Sequence, residues 1–264
     1  MNQAVKGKWA LVTGASSGIG KEFARQLADR GMNVILVARR EERLQRVKAE
    51  LESTYGVEAS VISMDLADLD AARQLYERVT AEGYKVHVLI NNAGFGLHGT
   101  IEEIPLEKMQ TMLQLDVVTV ASLTKLFVRE MIKRDAGYIL QIASIGAYQP
   151  SPEYATYSAA KSFVLNYGEA LNYELRNTNV SCTVLSPGVT RTEFFEASGQ
   201  GEDLSLYQRV TMMKSVDVAR VGLRAMFNRR ASVLPGFVNQ TMALGSKLLP
   251  RRLVTAVAYR LIAH

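Results

Sequence analysis

Short apolar runs alternate with helical patterns along most of the chain, and this alternation limits the fold more than any other feature. Trp9 to Thr13, Asn33 to Ala38, Val57 to Met64, Val86 to Asn91, Tyr138 to Ser144 and Val180 to Ser186 read as strands. Between them, Gly18 to Arg30, Glu41 to Tyr55, Leu69 to Glu82, Pro105 to Arg134 and Ala155 to Arg176 read as helices. A helix Val216 to Asn228 and a short strand at Ser232 to Leu234 follow. Parallel strands are joined by crossover helices, so the pattern predicts an α/β fold with a parallel sheet covered on both faces. After Pro187 the alternation loosens, and residues 189–215 are expected to form a lid.

The balance of 48% hydrophobic and 22% charged residues over 264 positions excludes disorder, and no linker-like stretch divides the chain. Residues 1–264 are therefore expected to form one domain. A single cysteine, Cys182, leaves no intramolecular disulfide, and His87, His98 and His264 give no zinc-ligand spacing, so no metal is expected. Met1 to Lys8 has no signal-peptide pattern, and no run of about 18 uninterrupted apolar residues suggests a membrane span, so the expected location is cytoplasmic. The net charge of +5 resides at one end. Residues 218–264 hold eight bases and no acid, whereas residues 1–217 carry 23 bases against 26 acids. The main body thus lacks the positive face that nucleic acid requires.

The first strand runs into Thr13-Gly14-Ala15-Ser16-Ser17-Gly18-Ile19-Gly20, with glycines at offsets 0, 4 and 6, and then into a helix. Such a turn lets phosphate oxygens approach backbone N–H groups at the positive end of a helix, which points to a dinucleotide. An ordinary glycine-rich turn is the bland alternative. The second strand ends in Val37-Ala38-Arg39-Arg40. An acid commonly grips the ribose diol of NAD at this place; two guanidiniums suit a 2′-phosphate instead, which predicts NADP(H) with Arg39 the leading contact and Arg40 the second.

Ser144, Tyr157 and Lys161 form the catalytic candidate. Tyr157 and Lys161 are one helical turn apart, so the ammonium can lie beside the phenol and favour its ionised form. Tyr157 can then give a proton to a carbonyl in reduction or take one from an alcohol in oxidation, with Ser144 hydrogen-bonded to the same oxygen. Taken alone, Tyr-x-x-x-Lys is an ordinary surface spacing.

In combination, TGASSGIG at 13–20, Asp65, NNAG at 91–94, Ser144, YSAAK at 157–161 and PGVTRT at 187–192 make the chain resemble the short-chain dehydrogenase/reductase family over almost its whole length. The resemblance implies a doubly wound, Rossmann-type, mostly parallel sheet of about seven strands and hydride transfer at a carbonyl or hydroxyl carbon. It implies that Asp65 contacts adenine and that Asn91, Ala93 and Gly94 line the cofactor ribose. By the same resemblance, Tyr157 and Lys161 are expected to hold the nicotinamide ribose. It further implies that Pro187, Gly188, Val189, Thr190 and Thr192 cover the nicotinamide and its phosphate. A homodimer or homotetramer is also implied. Backbone satisfaction alone explains Asn91 and Asn92 equally well.

Two departures stand out. The family commonly completes a catalytic tetrad with an Asn in the long helix after NNAG, and here Asp116 holds that position, where its charge offsets Lys161. The C-terminus carries apolar positions interleaved with bases from Met242 to Leu261 in place of a glycine-rich end, which resembles bacterial reductases with a helical extension, here about 236–264. That extension can pack on the body or on another subunit, lie on an anionic membrane, or meet an acidic carrier. His98 reads as a solvated loop residue, Cys182 as core, and Tyr148, Tyr154, Phe194 and Phe195 as either core or an apolar substrate wall. The sequence therefore predicts an NADP(H)-dependent carbonyl reductase acting on a small, partly apolar substrate. The alternative is a cofactor-binding sensor or scaffold without turnover, to which only Asp116 points.

Overall fold

The computed structural model describes residues 5–194, 198–199 and 205–262. His264 and positions 195–197, which include Phe195, and 200–204 of the expected lid lie outside the described residues.

Seven parallel strands form the sheet: β1 (Trp9–Thr13), β2 (Asn33–Ala38), β3 (Ala59–Ser63), β4 (Val86–Asn91), β5 (Gly137–Ile142), β6 (Val180–Leu185) and β9 (Ser232–Val233), in spatial order β3-β2-β1-β4-β5-β6-β9. β1 pairs with β2 on one side and β4 on the other, so the winding reverses between β1 and β4. In open sheets of this kind the crevice beyond the strands' carboxyl ends at that reversal receives the ligand. The strands expected from the sequence are all present, with boundaries moved by no more than two residues.

Successive side chains alternate between the two layers. Val12, Val34, Leu36, Val88 and Ile90 face Phe23, Leu27, Leu44, Leu51, Val218 and Leu223, from α1 (Gly18–Ala28), α2 (Glu41–Tyr55) and the helix Ser215–Phe227. Leu11, Ile35, Val37, Leu89 and Ile139 face Leu75, Val79, Leu123, Phe127 and Met131, from α3 (Ala71–Ala81) and α5 (Val120–Lys133). Both faces are sealed, which is why the strands are apolar runs rather than alternating ones. Cys182 is fully buried, and burial pushes its thiol up to about 12.

The long helical region from Pro105 is not one regular helix. α4 (Leu106–Leu113) passes through a π turn, Gln114–Thr119, into α5. This stretch is long and apolar enough in composition to cross a membrane, but its apolar face is spent on the sheet, through Leu123, Phe127 and Met131. α6 (Ala155–Glu174) packs on β6. Beyond β6, β7 (Thr190–Arg191) pairs with β8 (Met213–Lys214), and the short helix α7 (Leu206–Thr211) opens with a capping box at Ser205 and Gln208. α8 (Ser215–Phe227) packs beside α1. The chain then forms α9 (Phe237–Leu248) and α10 (Arg251–Ile262), separated at Leu249 and Pro250.

Candidate active site

The glycine turn is built by close approach. A Cβ on Gly20 would stand 2.2 Å from the Gly14 carbonyl oxygen, and Gly14 has φ +67, so neither position accepts a side chain without rearrangement. Ser17 precedes α1 with no side-chain cap hydrogen bond, and the first turn holds no acid. The helix N-terminus is thus electrostatically open to an anion. Below the turn, the Thr13 hydroxyl donates to the Ile90 carbonyl at 3.2 Å and accepts the N–H groups of Asn92 and Ala93, each at 2.9 Å. The Asn92 amide donates to the Thr13 carbonyl at 2.9 Å, tying β1 to the strand end of β4. Asn91 instead turns its side chain inward, donating to Thr124 at 2.9 Å and Gln141 at 3.1 Å. Any contact it makes in the crevice therefore falls to its backbone.

The two arginines diverge. Arg39 is largely exposed and reaches Asp65 at 3.6 Å. Arg40 donates to Ser16 at 3.2 Å and Ser17 at 2.9 Å, so it stands directly over the glycine turn. Glu193 accepts from both Arg40, at 2.7 Å, and Arg43, at 2.5 Å. Glu193 and Thr192 form one wall of a cleft of about 340 Å³ whose other wall is Ser17, Gly18 and Lys21. The segment leading to it is internally tied. Pro187 accepts the Ile145 N–H at 2.8 Å, Val189 accepts the Met213 N–H at 2.8 Å, and Thr190 donates to the Gly188 carbonyl at 2.9 Å.

Ser144 ends the β5 loop by capping the 3₁₀ turn Ile145–Tyr148, its oxygen accepting the Gly146 N–H at 3.1 Å. The Tyr157 and Ser144 hydroxyls share a hydrogen bond, and Lys161 Nζ lies 5.6 Å from the Tyr157 ring centre. Lys161 also donates to the Ile142 carbonyl at 3.3 Å and pairs with Asp116 Oδ2 at 2.9 Å. Asp116 lies within the π turn, an element that inserts one extra residue into a helix and so re-aims its side chains. Its Oδ1 accepts the Phe95 N–H at 3.2 Å, and Gly94 leaves room for it, since a Cβ there would come within 2.8 Å of the carboxylate.

Burial dominates the electrostatics of this group. It pushes the Asp116 carboxyl above its usual range, although Lys161 pulls the other way. Burial also draws the Lys161 ammonium down, but the Asp116 carboxylate and Tyr157 outweigh it and leave the lysine above its usual value. For Tyr157, burial raises the phenol, Lys161 and the Ser144 hydrogen bond lower it, Asp116 raises it again, and the net direction is upward. The lowering by Lys161 expected from the sequence is present and is overcome by burial. As the departure from the family pattern implies, Asp116 opposes it.

Aromatic side chains surround the phenol. Phe194 lies 5.3 Å from the Tyr157 ring and Tyr154 6.0 Å, and Gly96 makes room for Phe194, whose ring would be 2.6 Å from a Cβ there. Burial pushes the Tyr154 hydroxyl up to about 12 despite a hydrogen bond to Ser198. His98 departs from the expected solvated residue. It is half-buried, with its ring 5.1 Å from Tyr154, its Nε2 3.2 Å from Glu153 and its backbone N–H donating to Ser198. Among the described residues no cluster of His, Cys, Asp or Glu is disposed to hold a metal.

Sequence reading passed over two carboxylates. Glu193 lies in a stretch recognisable only as a lid, and its partners are some 150 residues away. Glu153 adopts φ +63, a backbone state nothing in its neighbours announces.

Comparison with known proteins agrees with the geometry. The family profile described as short chain dehydrogenase matches residues 8–203. The very-long-chain 3-oxoacyl-CoA reductase of Anas platyrhynchos is 35% identical over 198 residues, 73% of this chain and 62% of that protein, so the chain spans less than two thirds of that relative. A 7beta-hydroxysteroid dehydrogenase structure superposes with a TM-score of 0.87 at 26% identity, covering 97% of this chain and 98% of the other. A short-chain dehydrogenase from Sphingobium yanoikuyae in complex with NADPH gives 0.80 at 26%, covering 91% and 93%. One from Burkholderia phymatum in complex with NAD gives 0.80 at 27%, covering 91% and 92%. The chain belongs to the short-chain dehydrogenase family of oxidoreductases.

Proposed function

We propose that this protein is an NADP(H)-dependent reductase of ketone or aldehyde carbonyls on partly apolar substrates, running in reverse as an alcohol dehydrogenase. The observation that carries this reading is the Tyr157 hydroxyl, hydrogen-bonded to Ser144, which follows β5, and flanked by Lys161, at the carboxyl edge of the same sheet whose first strand ends in the glycine turn. NADP(H) fits the residues present: the turn has no room for a Cβ at Gly20, α1 begins uncapped, and Arg39 and Arg40 lie at the end of β2 with two guanidiniums for a 2′-phosphate.

When bound, NADPH supplies the hydride that the carbonyl carbon accepts. The protein's part is positional and electrostatic. Ser144 donates to the carbonyl oxygen, Tyr157 delivers a proton to it, and the Lys161 ammonium stabilises the phenolate that remains. Burial and Asp116 raise the Tyr157 phenol above its usual value, which favours the protonated form that the reductive direction uses. Phe194 and Tyr154 form an apolar wall beside the reacting group. The names of the relatives, for a 3-oxoacyl-CoA and a hydroxysteroid, support a 3-oxoacyl, aliphatic or cyclic ketone. A single domain, a cytoplasmic location and a homodimer or homotetramer belong to the same reading, the last checked by light scattering.

The test is a pair of titrations with NADPH and NADH, followed through energy transfer from Trp9 and the tyrosines. NADPH is expected to bind more tightly. Arg39→Asp is expected to cost NADPH about 1.5–3 kcal/mol, roughly tenfold to a hundredfold, while affecting NADH little. Equal losses for both cofactors refute the 2′-phosphate assignment, and binding of neither refutes the enzyme reading.

A further inference from the structure

α9 and α10 bury a narrow face on the body of the protein through Asn239, Ala243, Val254 and Ala258. Their outer face is largely apolar. Phe237, Leu244 and Leu248, spaced i, i+7 and i+11, fall within a stripe of roughly 40° around α9, and they are 80%, 57% and 75% exposed. Leu249 at the joint and Leu253 and Val257 on α10 are exposed as well. Lys247, Arg251, Arg252 and Arg260 stand among them, all exposed, and no acidic residue occurs anywhere from Val218 onward.

Lys247 and Arg260 lie in the last turns of their helices, where a cation is favoured, but the other two bases are poorly placed for the protein itself. Arg251 and Arg252 open α10 with no acid in its first turn, so cations meet the positive end of a helix dipole. A second copy suits this face badly, because two-fold self-packing brings the same bases together with no carboxylate between them. A bilayer surface rich in anionic headgroups matches both components, taking the leucines and Phe237 into its apolar boundary and the guanidiniums at its phosphates. We infer that the outer face of α9 and α10 is a docking surface for an anionic membrane, held peripherally. α9 also packs against the Ile145–Tyr148 turn that follows Ser144, and Lys247 Nζ lies 5.9 Å from the Tyr148 ring, so the docking surface adjoins the turn that Ser144 caps. This inference does not depend on turnover or on the choice of cofactor.

Vesicle flotation of the full chain tests it. With pure phosphatidylcholine the protein is expected to stay in the soluble fraction. With an equimolar mixture of phosphatidylcholine and phosphatidylglycerol it is expected to float, its partition rising at least about tenfold and falling again with added salt. Two doubly substituted proteins separate the components: Leu244→Glu with Leu248→Glu, and Arg251→Glu with Arg252→Glu, each expected to lose flotation while keeping the wild-type circular dichroism. The proposal is overturned if the wild type stays soluble with both vesicles, if it floats equally on both, or if the leucine variant floats as the wild type does. It is also overturned if light scattering shows that the leucine variant splits an oligomer, since the face is then a contact between copies.

Discussion

The Asp116–Lys161 and Glu193–Arg40 pairs are nearly the same length, 2.9 and 2.7 Å, yet one is sealed in the candidate catalytic group beside Tyr157 and the other lies half exposed over the glycine turn. In the first, the Asp116 side chain is wholly inaccessible and that of Lys161 nearly so; in the second, both side chains are 43% exposed. Burial makes each inner charge expensive alone, so the pair has to exist together. Water and salt screen the outer pair, which can open when an anion competes for Arg40. The two members of the inner pair act on the Tyr157 phenol in opposite directions beneath the larger effect of burial, whereas the outer pair connects Glu193 to the guanidinium that stands over Ser16 and Ser17. Distance alone does not distinguish these roles.

The largest expected effect breaks the inner pair. Lys161→Met leaves the Asp116 carboxylate buried without its cation and is expected to destabilise the fold by about 3–5 kcal/mol. Adding Asp116→Leu should restore most of this loss, and chemical denaturation of the two variants is the check. A single variant as stable as the wild type would show that the inner pair is not held by burial.

Asp116→Asn keeps the shape and removes the charge. Asp116 raises the Tyr157 phenol, so its neutralisation lets the phenol ionise at lower pH. Alcohol oxidation, which needs the phenolate as base, should therefore rise at a lower pH, and reduction, which needs the phenol, should decline earlier as pH increases. Parallel pH profiles of both directions measure this, and unmoved profiles would exclude the coupling.

Glu193→Gln addresses the outer pair and should change stability by no more than about 1 kcal/mol. It should leave NADPH binding equal or tighter, because Arg40 is then released to the phosphate. Weaker NADPH binding in this variant would show that Glu193 builds the crevice rather than competing for it.

The same contrast decides what was legible in the sequence. Buried parallel strands must be apolar runs, so Val34 to Val37 and Val88 to Ile90 identify themselves, and Gly14, Gly18 and Gly20 mark where a backbone has to approach closely. The Tyr157–Lys161 pairing follows from one helical turn. The π turn around Asp116 leaves no such mark, since one extra residue in a turn changes no residue type, and Asp116 drew attention only as a departure from the family pattern. Glu193 was hidden for another reason. Its partners, Arg40 and Arg43, lie far away in sequence, and no periodicity connects positions that meet only through the tertiary fold. Likewise, the sequence ranks Arg39 above Arg40, whereas the side-chain geometry places Arg40 on Ser16 and Ser17 and Arg39 on Asp65.

The most direct test of the central claim is NADPH oxidation on mixing with a panel of 3-oxoacyl, aliphatic and cyclic ketones, with the alcohol product quantified for the wild type and for Tyr157→Phe. The account predicts one alcohol formed per NADPH consumed by the wild type and a loss of about 10²–10⁴-fold in the variant. Equal rates in the two proteins would contradict it.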